Sequence, residues 1–384
     1  MKKICVVIGS RANYSSIKSA MIAIQEHKSL ELVIVAAASA VLDRYGSVVD
    51  LMEIDGFTIQ ERLHFLLEGE TPTTMAKSTG IGLIELSSAF ERLQPDVVIT
   101  VGDRFETMAT TLAAAYMNIP IAHTMGGEVT GTIDESIRHA VTKFAHIHFP
   151  ASEDAAKRIE KLGEPRNAIH CVGCPRIDLV ADILKDEDSD LSEDLFGLGV
   201  GDNVNLTEPF VLVSQHPVTT EYGAGEYQIW QTLSAVKRSG FQAIVLWPNA
   251  DAGADDIARG IRKWREQGLA NNMHFFKNLP ISTYVRLMAK AKCLVGNSSS
   301  GIREGAYIGT PVVNVGSRQH ARERGANVVD VNYDEQEIYQ AIISQAKRGR
   351  LSADPLYGDG NSGRRIADIL ASLGPISLQK TITY

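Results

Sequence analysis

Short apolar runs alternate with amphipathic stretches along the first half of the chain. The runs cover residues 4–8, 32–38, 97–101, 119–123 and 147–149, and residues 15–26, 82–93 and 106–117 between them carry apolar side chains at helical spacing. Continuous apolar runs of this length read as strands buried on both faces. Their alternation with helices predicts a parallel sheet covered on both sides. After the middle of the chain the pattern starts afresh, with strands expected over 210–214, 243–247, 274–276, 293–296 and 312–315. Helices fit 227–239, 254–267, 282–291 and 301–308, and the tail 365–373 is also helical in pattern. The expected fold class is α/β, with two Rossmann-like, doubly wound parallel-sheet domains in tandem over 1–184 and 205–363. The last helix, within 364–384, is expected to pack back on the first domain. Ligands of open parallel sheets sit beyond the carboxyl ends of the strands, so the chemistry belongs in a cleft lined by strand-end loops.

A length of 384 residues agrees with two domains at about 150 residues each. Hydrophobic residues make up 44% and charged residues 22%, the composition of an ordinary soluble globular protein. The net charge of −8 argues against a surface that coats nucleic acid, so an anionic ligand must be held by local positive groups. Four cysteines are too few for a disulfide framework and suit a reducing cytosol. The start, Lys2-Lys3 followed by an apolar run, reads as a first strand because the run stops at Gly9-Ser10-Arg11 without a cleavage site. The longest apolar run, 32–42, is too short to span a bilayer. A soluble, cytoplasmic protein with no membrane or nucleic-acid partner is expected. The stretch 186–194 holds six carboxylates in nine residues and reads as a solvated excursion near the domain boundary. Its Asp188-Ser189-Asp190 has the spacing of a metal-binding DxD, but an acidic linker produces that pattern by composition. Cys171 and Cys174 form a lone CxxC without a second pair or ligand-spaced histidines. No metal and no cofactor is expected.

The loops after the strands concentrate the polar chemistry. Gly9-Ser10-Arg11-Ala12-Asn13-Tyr14-Ser15 turns from strand to helix with a single glycine, so the dinucleotide fingerprint GxGxxG is absent, while Arg11 and Ser15 could grip phosphate. Gly296-Asn297-Ser298-Ser299-Ser300-Gly301 turns from strand to helix with three hydroxyls. Backbone N–H groups, the helix dipole and the serines then converge as a metal-free pyrophosphate cradle, with Glu304 one turn inside the helix to accept from ribose hydroxyls and Arg318 adding charge after the next strand. Plain N-capping by serine would leave the same pattern. Asp103 and Arg104 end one strand, Glu128 follows the next, and Asp134, Arg138 and His139 open a helix, with Asp134 and Arg138 on one face. His216, before Pro217, tips the first strand of the second domain. Three carboxylates and two imidazoles at strand ends or helix starts are hard to explain as packing.

These residues together resemble the UDP-N-acetylglucosamine 2-epimerase family, in particular its hydrolysing branch. The motifs are Gly-Ser-Arg-Ala-Asn-Tyr-Ser at 9–15, Gly-Asp-Arg at 102–104, Gly-Gly-Glu-Val at 126–129 and Gly-Thr-Ile-Asp-Glu-Ser-Ile-Arg-His at 131–139. To these are added Gln-His-Pro-Val-Thr-Thr at 215–220, Pro-Asn-Ala-Asp-Ala-Gly at 248–253, Gly-Asn-Ser-Ser at 296–299 and Tyr-Gly-Asp-Gly-Asn at 357–361. The resemblance implies a fold like that of GT-B glycosyltransferases, a homodimer or homotetramer, and conversion of UDP-N-acetylglucosamine and water to N-acetylmannosamine and UDP, the entry to sialic acid synthesis. By the same resemblance Arg11, Ser15, Arg104, Arg138, His216, Asn249, Leu279 (through its backbone), Ser298, Ser299, Ser300, Glu304 and Arg318 serve UDP or sugar. Asp103, Glu128, Asp134, His139 and His216 form the catalytic group.

The non-hydrolysing branch carries Thr-Gly-Gln-His after its second strand, where this chain has Ala37-Ala38-Ser39-Ala40, and Glu-Ala-Gly-Leu-Arg where this chain has Gly127-Glu128-Val129-Thr130-Gly131. Both departures favour hydrolysis. Asp255 and Asn278 stand where feedback-regulated animal members carry basic groups, which argues against inhibition by CMP-sialic acid. The alternatives at this stage are the same chemistry on UDP-2,4-diacetamido-2,4,6-trideoxyglucose, the reversible non-hydrolysing epimerase, a GT-B glycosyltransferase and a non-catalytic UDP-sugar binding protein. Carboxylates near a dianion speak against a mere binder.

Overall fold

The computed structural model of the chain describes all residues except 44–46, 69–70, 130–132, 186–190, 192–194, 196, 249–252, 278 and 384. It divides into two compact units: the first comprises Met1–Val129, Ile133–Leu179 and Gly358–Tyr384, the second Val180–Tyr357.

The first unit is built on a parallel sheet of β1 (Lys2–Ile8), β2 (Leu30–Ala37), β3 (Glu61–Leu63), β4 (Val97–Val101), β5 (Ile121–Thr124) and β6 (Ile147–Phe149), in the order β3-β2-β1-β4-β5-β6. Register is fixed by in-step pairing such as Ile4 with Leu32 and Ile8 with Ala36. Its helices are α1 (Arg11–Glu26), α2 (Val48–Ile54), α3 (Pro72–Leu93), α4 (Phe105–Tyr116), α5 (Ile133–Phe144) and α6 (Glu153–Lys161). The division between the units falls inside α7 (Pro175–Lys185). Val33, Val35 and Val98 pack with Leu86 and Phe90 of α3 and the alanines of α4 in one dry layer. α3 starts ten residues earlier than its apolar spacing predicts. Thr71 and Thr74 cap its end reciprocally, each backbone N–H donating to the other's hydroxyl, at 3.0 and 3.1 Å. The second strand ends at Ala37, one residue early, because Ala38 takes a φ of +51° and turns the chain.

The segment after residue 357 completes this unit. α13 (Ser362–Ser372) crosses α1 at Gly363, where a Cβ would stand 2.5 Å from the backbone carbon of Ser19. Asp178 caps α13, accepting from the backbone N–H groups of Ser362 (3.0 Å) and Gly363 (2.7 Å). Lys2 donates to the carbonyls of Leu370 and Leu373, which α13 would otherwise leave open. Further on, Lys380 pairs with buried Glu164 at 2.7 Å and donates to the carbonyl of Lys143 at the end of α5. His148, wholly buried, also bonds Glu164 (3.1 Å), so its role is structural.

The second unit repeats the plan. Its strands are β7 (Val200–Gly201), β8 (Phe210–Ser214), β9 (Gln242–Leu246), β10 (Met273–Phe276), β11 (Leu294–Gly296), β12 (Val312–Val315) and β13 (Val328–Val331), in the order β13-β12-β11-β8-β9-β10-β7. Among the described residues only β7 is antiparallel. One face packs against α8 (Gly225–Ser239), α9 (Ala254–Glu266) and α12 (Glu335–Arg348), the other against α10 (Ile281–Lys290) and α11 (Ser299–Ile308). Two predominantly parallel sheets packed with helices are the α/β fold that the alternation of runs predicts. Among the described residues no helix is long and apolar enough to cross a membrane, and no cluster of His, Cys, Asp or Glu could hold a metal ion. Asp188-Ser189-Asp190 lies outside the described residues.

Candidate active site

In the first unit the strand order turns at β1 and β4, the topological switch point where open sheets bind ligands. Asn13, 6% exposed, laces these two strand ends together: it accepts from the backbone N–H of Gly9 and donates to the carbonyl of Val101, both at 3.2 Å. Ser10 caps α1 through the N–H of Asn13, which sets Arg11 in the first turn. Ser15 accepts from Arg176 at 2.9 Å. Beyond β4, Gly102 takes a φ of +74° and its carbonyl is held by His123 Nε2 at 2.8 Å. A carbonyl can only accept, so that nitrogen bears the proton. Burial pushes His123 down to about 4, which keeps it neutral.

Asp103, next along, is gripped by Arg138 of α5. The same guanidinium donates to the backbone carbonyl of Glu128 at 2.7 Å. One arginine thus ties together the loops that bear two of the three expected catalytic carboxylates. Asp134 sits in the first turn of α5, half-buried. His139 follows on that helix, 3.5 Å from Glu135. Arg138, grouped by resemblance with the ligand contacts, is 2% exposed and is better placed to fix Asp103 and Glu128 than to meet a ligand. Arg104 is more open, with its Nε 3.0 Å from Glu106.

In the second unit the switch point lies between β8 and β11. Gly296 permits their closure: a Cβ there would stand 2.2 Å from the carbonyl oxygen of Ser214. Asn297, wholly buried, then bolts the loops together. It accepts from the backbone N–H of His216 at 2.7 Å and donates to the carbonyl of His216 at 2.9 Å. Its own carbonyl accepts from Arg318 (3.2 Å) and Gln319 (2.9 Å), which draws in the loop after β12. Burial, and then the charge of Arg318, push His216 down to about 3. Near neutral pH this imidazole is therefore neutral and can donate a hydrogen bond.

Ser298 caps α11, accepting from the backbone N–H of Ser300. The three hydroxyls expected at the cradle divide. Ser300 is buried and bonded to Tyr284 (2.6 Å) and Ser298 (2.8 Å), whereas Ser298 and Ser299 are only half-buried. Glu304, one turn on, is 2% exposed. Leu279 has its side chain in the core, so only its backbone could serve a ligand. Asn249 lies outside the described residues, as do Thr130, Gly131 and Asn278. A helix N-terminus beside Arg318 and a neutral histidine can hold an anion without a metal.

The profile of UDP-N-acetylglucosamine 2-epimerase matches residues 22–371. The chain belongs to that family. Among curated relatives of this epimerase-family chain, the UDP-N,N'-diacetylbacillosamine 2-epimerase (hydrolyzing) of Legionella pneumophila is 31% identical over 373 residues, which is 97% of this chain and 96% of the relative. The UDP-N-acetylglucosamine 2-epimerase of Neisseria meningitidis is 29% identical over 373 residues, 96% and 95% of the two chains. A crystal structure of UDP-GlcNAc 2-epimerase from Neisseria meningitidis bound to UDP-GlcNAc superposes with a TM-score of 0.81 at 18% identity, covering 96% of this chain and 99% of that one. The architecture is the GT-B-like α/β one.

Three residues that organise the loops escaped the sequence reading as functional: Asn297, His123 and Glu106. Asn297 offered the clearest signal, a polar amide between a strand-ending glycine and a helix-capping serine. Nothing local distinguishes Glu106 from an acidic residue placed to suit a helix dipole.

Proposed function

We propose that this family member is a hydrolysing epimerase, converting UDP-N-acetylglucosamine and water to N-acetylmannosamine and UDP. The observation that carries the reading is the segment after β2. The activating second substrate of the non-hydrolysing branch would need polar side chains there, yet Ala38 and Ala40 are buried and the hydroxyl of Ser39 donates to the carbonyl of Gly9 at 2.9 Å. Water then remains as the second reactant. The resemblance adds a place at the entry to sialic acid synthesis and a homodimer or homotetramer, and the cysteine usage a cytoplasmic location.

Inverting C2 means removing a hydrogen from a carbon of little acidity. Elimination solves this: a carboxylate takes the C2 proton, the electron pair forms the C1–C2 double bond, and the C1–oxygen bond breaks to release UDP. Water then adds its oxygen to C1 of the 2-acetamidoglucal while a proton is returned to C2 from the opposite face. Asp103, Glu128 and Asp134 divide the proton transfers, and His139 orients a carboxylate or water. The α11 end with Ser298 and Ser299, Arg318, Arg104, Arg11 and a hydrogen bond from neutral His216 stabilise the departing diphosphate.

The names of the Legionella relative and of a 30% identical Campylobacter jejuni one favour a second sugar, UDP-2,4-diacetamido-2,4,6-trideoxyglucose, with the same residues in the same roles. Incubation with each UDP-sugar in D₂O, followed by NMR, tests both readings. The expected products are UDP and a free 2-epimeric sugar deuterated at C2. A UDP-linked epimer as sole product would replace hydrolysis by reversible epimerisation. Binding without turnover of either sugar would refute the enzyme reading.

A further inference from the structure

We infer that Glu106 is a positioning residue for Arg104 and sets how tightly the first unit holds a diphosphate. The inference rests on the proposed role of Arg104 as a UDP contact. Glu106 lies in the first turn of α4, yet it is 3% exposed and points back across the end of β1. Its Oε1 takes the Nε–H of Arg104 at 3.0 Å. The other oxygen, Oε2, is buried with no hydrogen-bond partner among the described residues. The hydroxyls beside it are committed elsewhere, Thr107 to the carbonyl of Val101 and Thr110 to that of Glu106 itself.

Space for this carboxylate is provided by Gly9. A Cβ at position 9 would stand 2.3 Å from Cγ of Glu106 and 3.1 Å from its Cβ and Cδ. So the glycine at the end of β1, the lone glycine of a loop without the dinucleotide fingerprint, is there to admit Glu106. A buried carboxylate with one oxygen unbonded is a poor source of stability, and a half-exposed ion pair adds little. What the arrangement does supply is pre-organisation. Arg104 has a side chain 44% exposed; the tether at Nε fixes its guanidinium on folding, so that less rotamer freedom is lost on binding.

The test is a double-mutant cycle on UDP affinity, measured by calorimetry on the full chain, with inorganic diphosphate as a second probe. Arg104→Ala should weaken UDP at least about tenfold, and Glu106→Ala about three- to tenfold, with a parallel loss for diphosphate but none for uridine. In the Arg104→Ala background, Glu106→Ala should have no further effect. Gly9→Ala supplies an independent route: it should weaken UDP in the wild-type chain by crowding Glu106, and do nothing more once Glu106 is alanine. If Arg104→Ala weakens UDP but Glu106→Ala and Gly9→Ala leave it unchanged, the positioning role is overturned while the Arg104 contact stands. An equal loss from Glu106→Ala with and without Arg104 would also overturn it, since Glu106 would then act through the fold. Normal affinity in Arg104→Ala would remove the Arg104 contact itself, and the inference with it.

Discussion

Replacing Asn297 by alanine is the most informative single perturbation of the second unit. The side chain makes two short hydrogen bonds to the backbone of His216, at 2.7 and 2.9 Å, and is wholly buried. Truncation removes both bonds and leaves a buried N–H and a buried carbonyl without partners. Each unsatisfied group costs about 1–3 kcal/mol, so the variant should lose about 2–6 kcal/mol of stability, a large share of the roughly 5–15 kcal/mol typical of a domain. Release of the loop should also admit water to His216. Burial is the main cause of its low pKa of about 3, so the imidazole should climb back toward its ordinary 6.5. Urea unfolding measures the first effect, and an NMR titration of the His216 Cε1 proton measures the second. A variant within about 0.5 kcal/mol of the wild type, with His216 still titrating near 3, would refute the view that Asn297 holds this loop.

Three further outcomes are expected. Asp103→Asn and Glu128→Gln should each lower turnover at least about a hundredfold while UDP affinity is kept; an unchanged rate in either removes that residue from the mechanism. Ser299→Ala combined with Arg318→Ala should weaken UDP binding first, and normal affinity by calorimetry would dismiss the α11 cradle. Acid should destabilise the fold, because His123 and His216 are held at about 4 and about 3 against an ordinary 6.5. Between pH 6.5 and 4 the unfolded chain binds more protons than the native one, so stability is full above 6.5 and falls on acidification, by up to about 2.7 kcal/mol per pH unit for the pair. Urea midpoints measured from pH 7.5 to 4 should follow that slope, and a flat profile would show that the two rings are not held neutral by the fold.

The fold was legible where burial is two-sided. Strands such as β1, β4, β8 and β12 are predominantly apolar and buried, and their alternation with amphipathic helices leaves little choice of class. Elements with weak patterns were missed for physical reasons. β3 reads Glu-Arg-Leu and β13 holds Asp330, so these edge strands carry charge. The first ten residues of α3 contain threonines and a glycine of low helix propensity, and the helix there relies on its cap. At the site, the loops were legible because chemistry clusters at strand ends. What could not be read was orientation. Sequence offers Ser298, Ser299 and Ser300 as equals, and only the fold turns Ser300 inward to Tyr284. Likewise the sequence does not show that Arg138 is buried between Asp103 and the carbonyl of Glu128.

The return of the last residues to the first unit has a consequence for biosynthesis. A ribosome emits Val180–Tyr357 in full before it emits α13, so the second unit has all its strands while the first still lacks the helix that covers α1 and the lysine that caps α5. The nascent first unit must wait without the helix that crosses α1 at Ser19 and Ala20, and it is completed only once the segment after residue 357 has emerged. Loss of residues 362–384 would therefore be felt at the start of β1, where Lys2 would lose the carbonyls it caps.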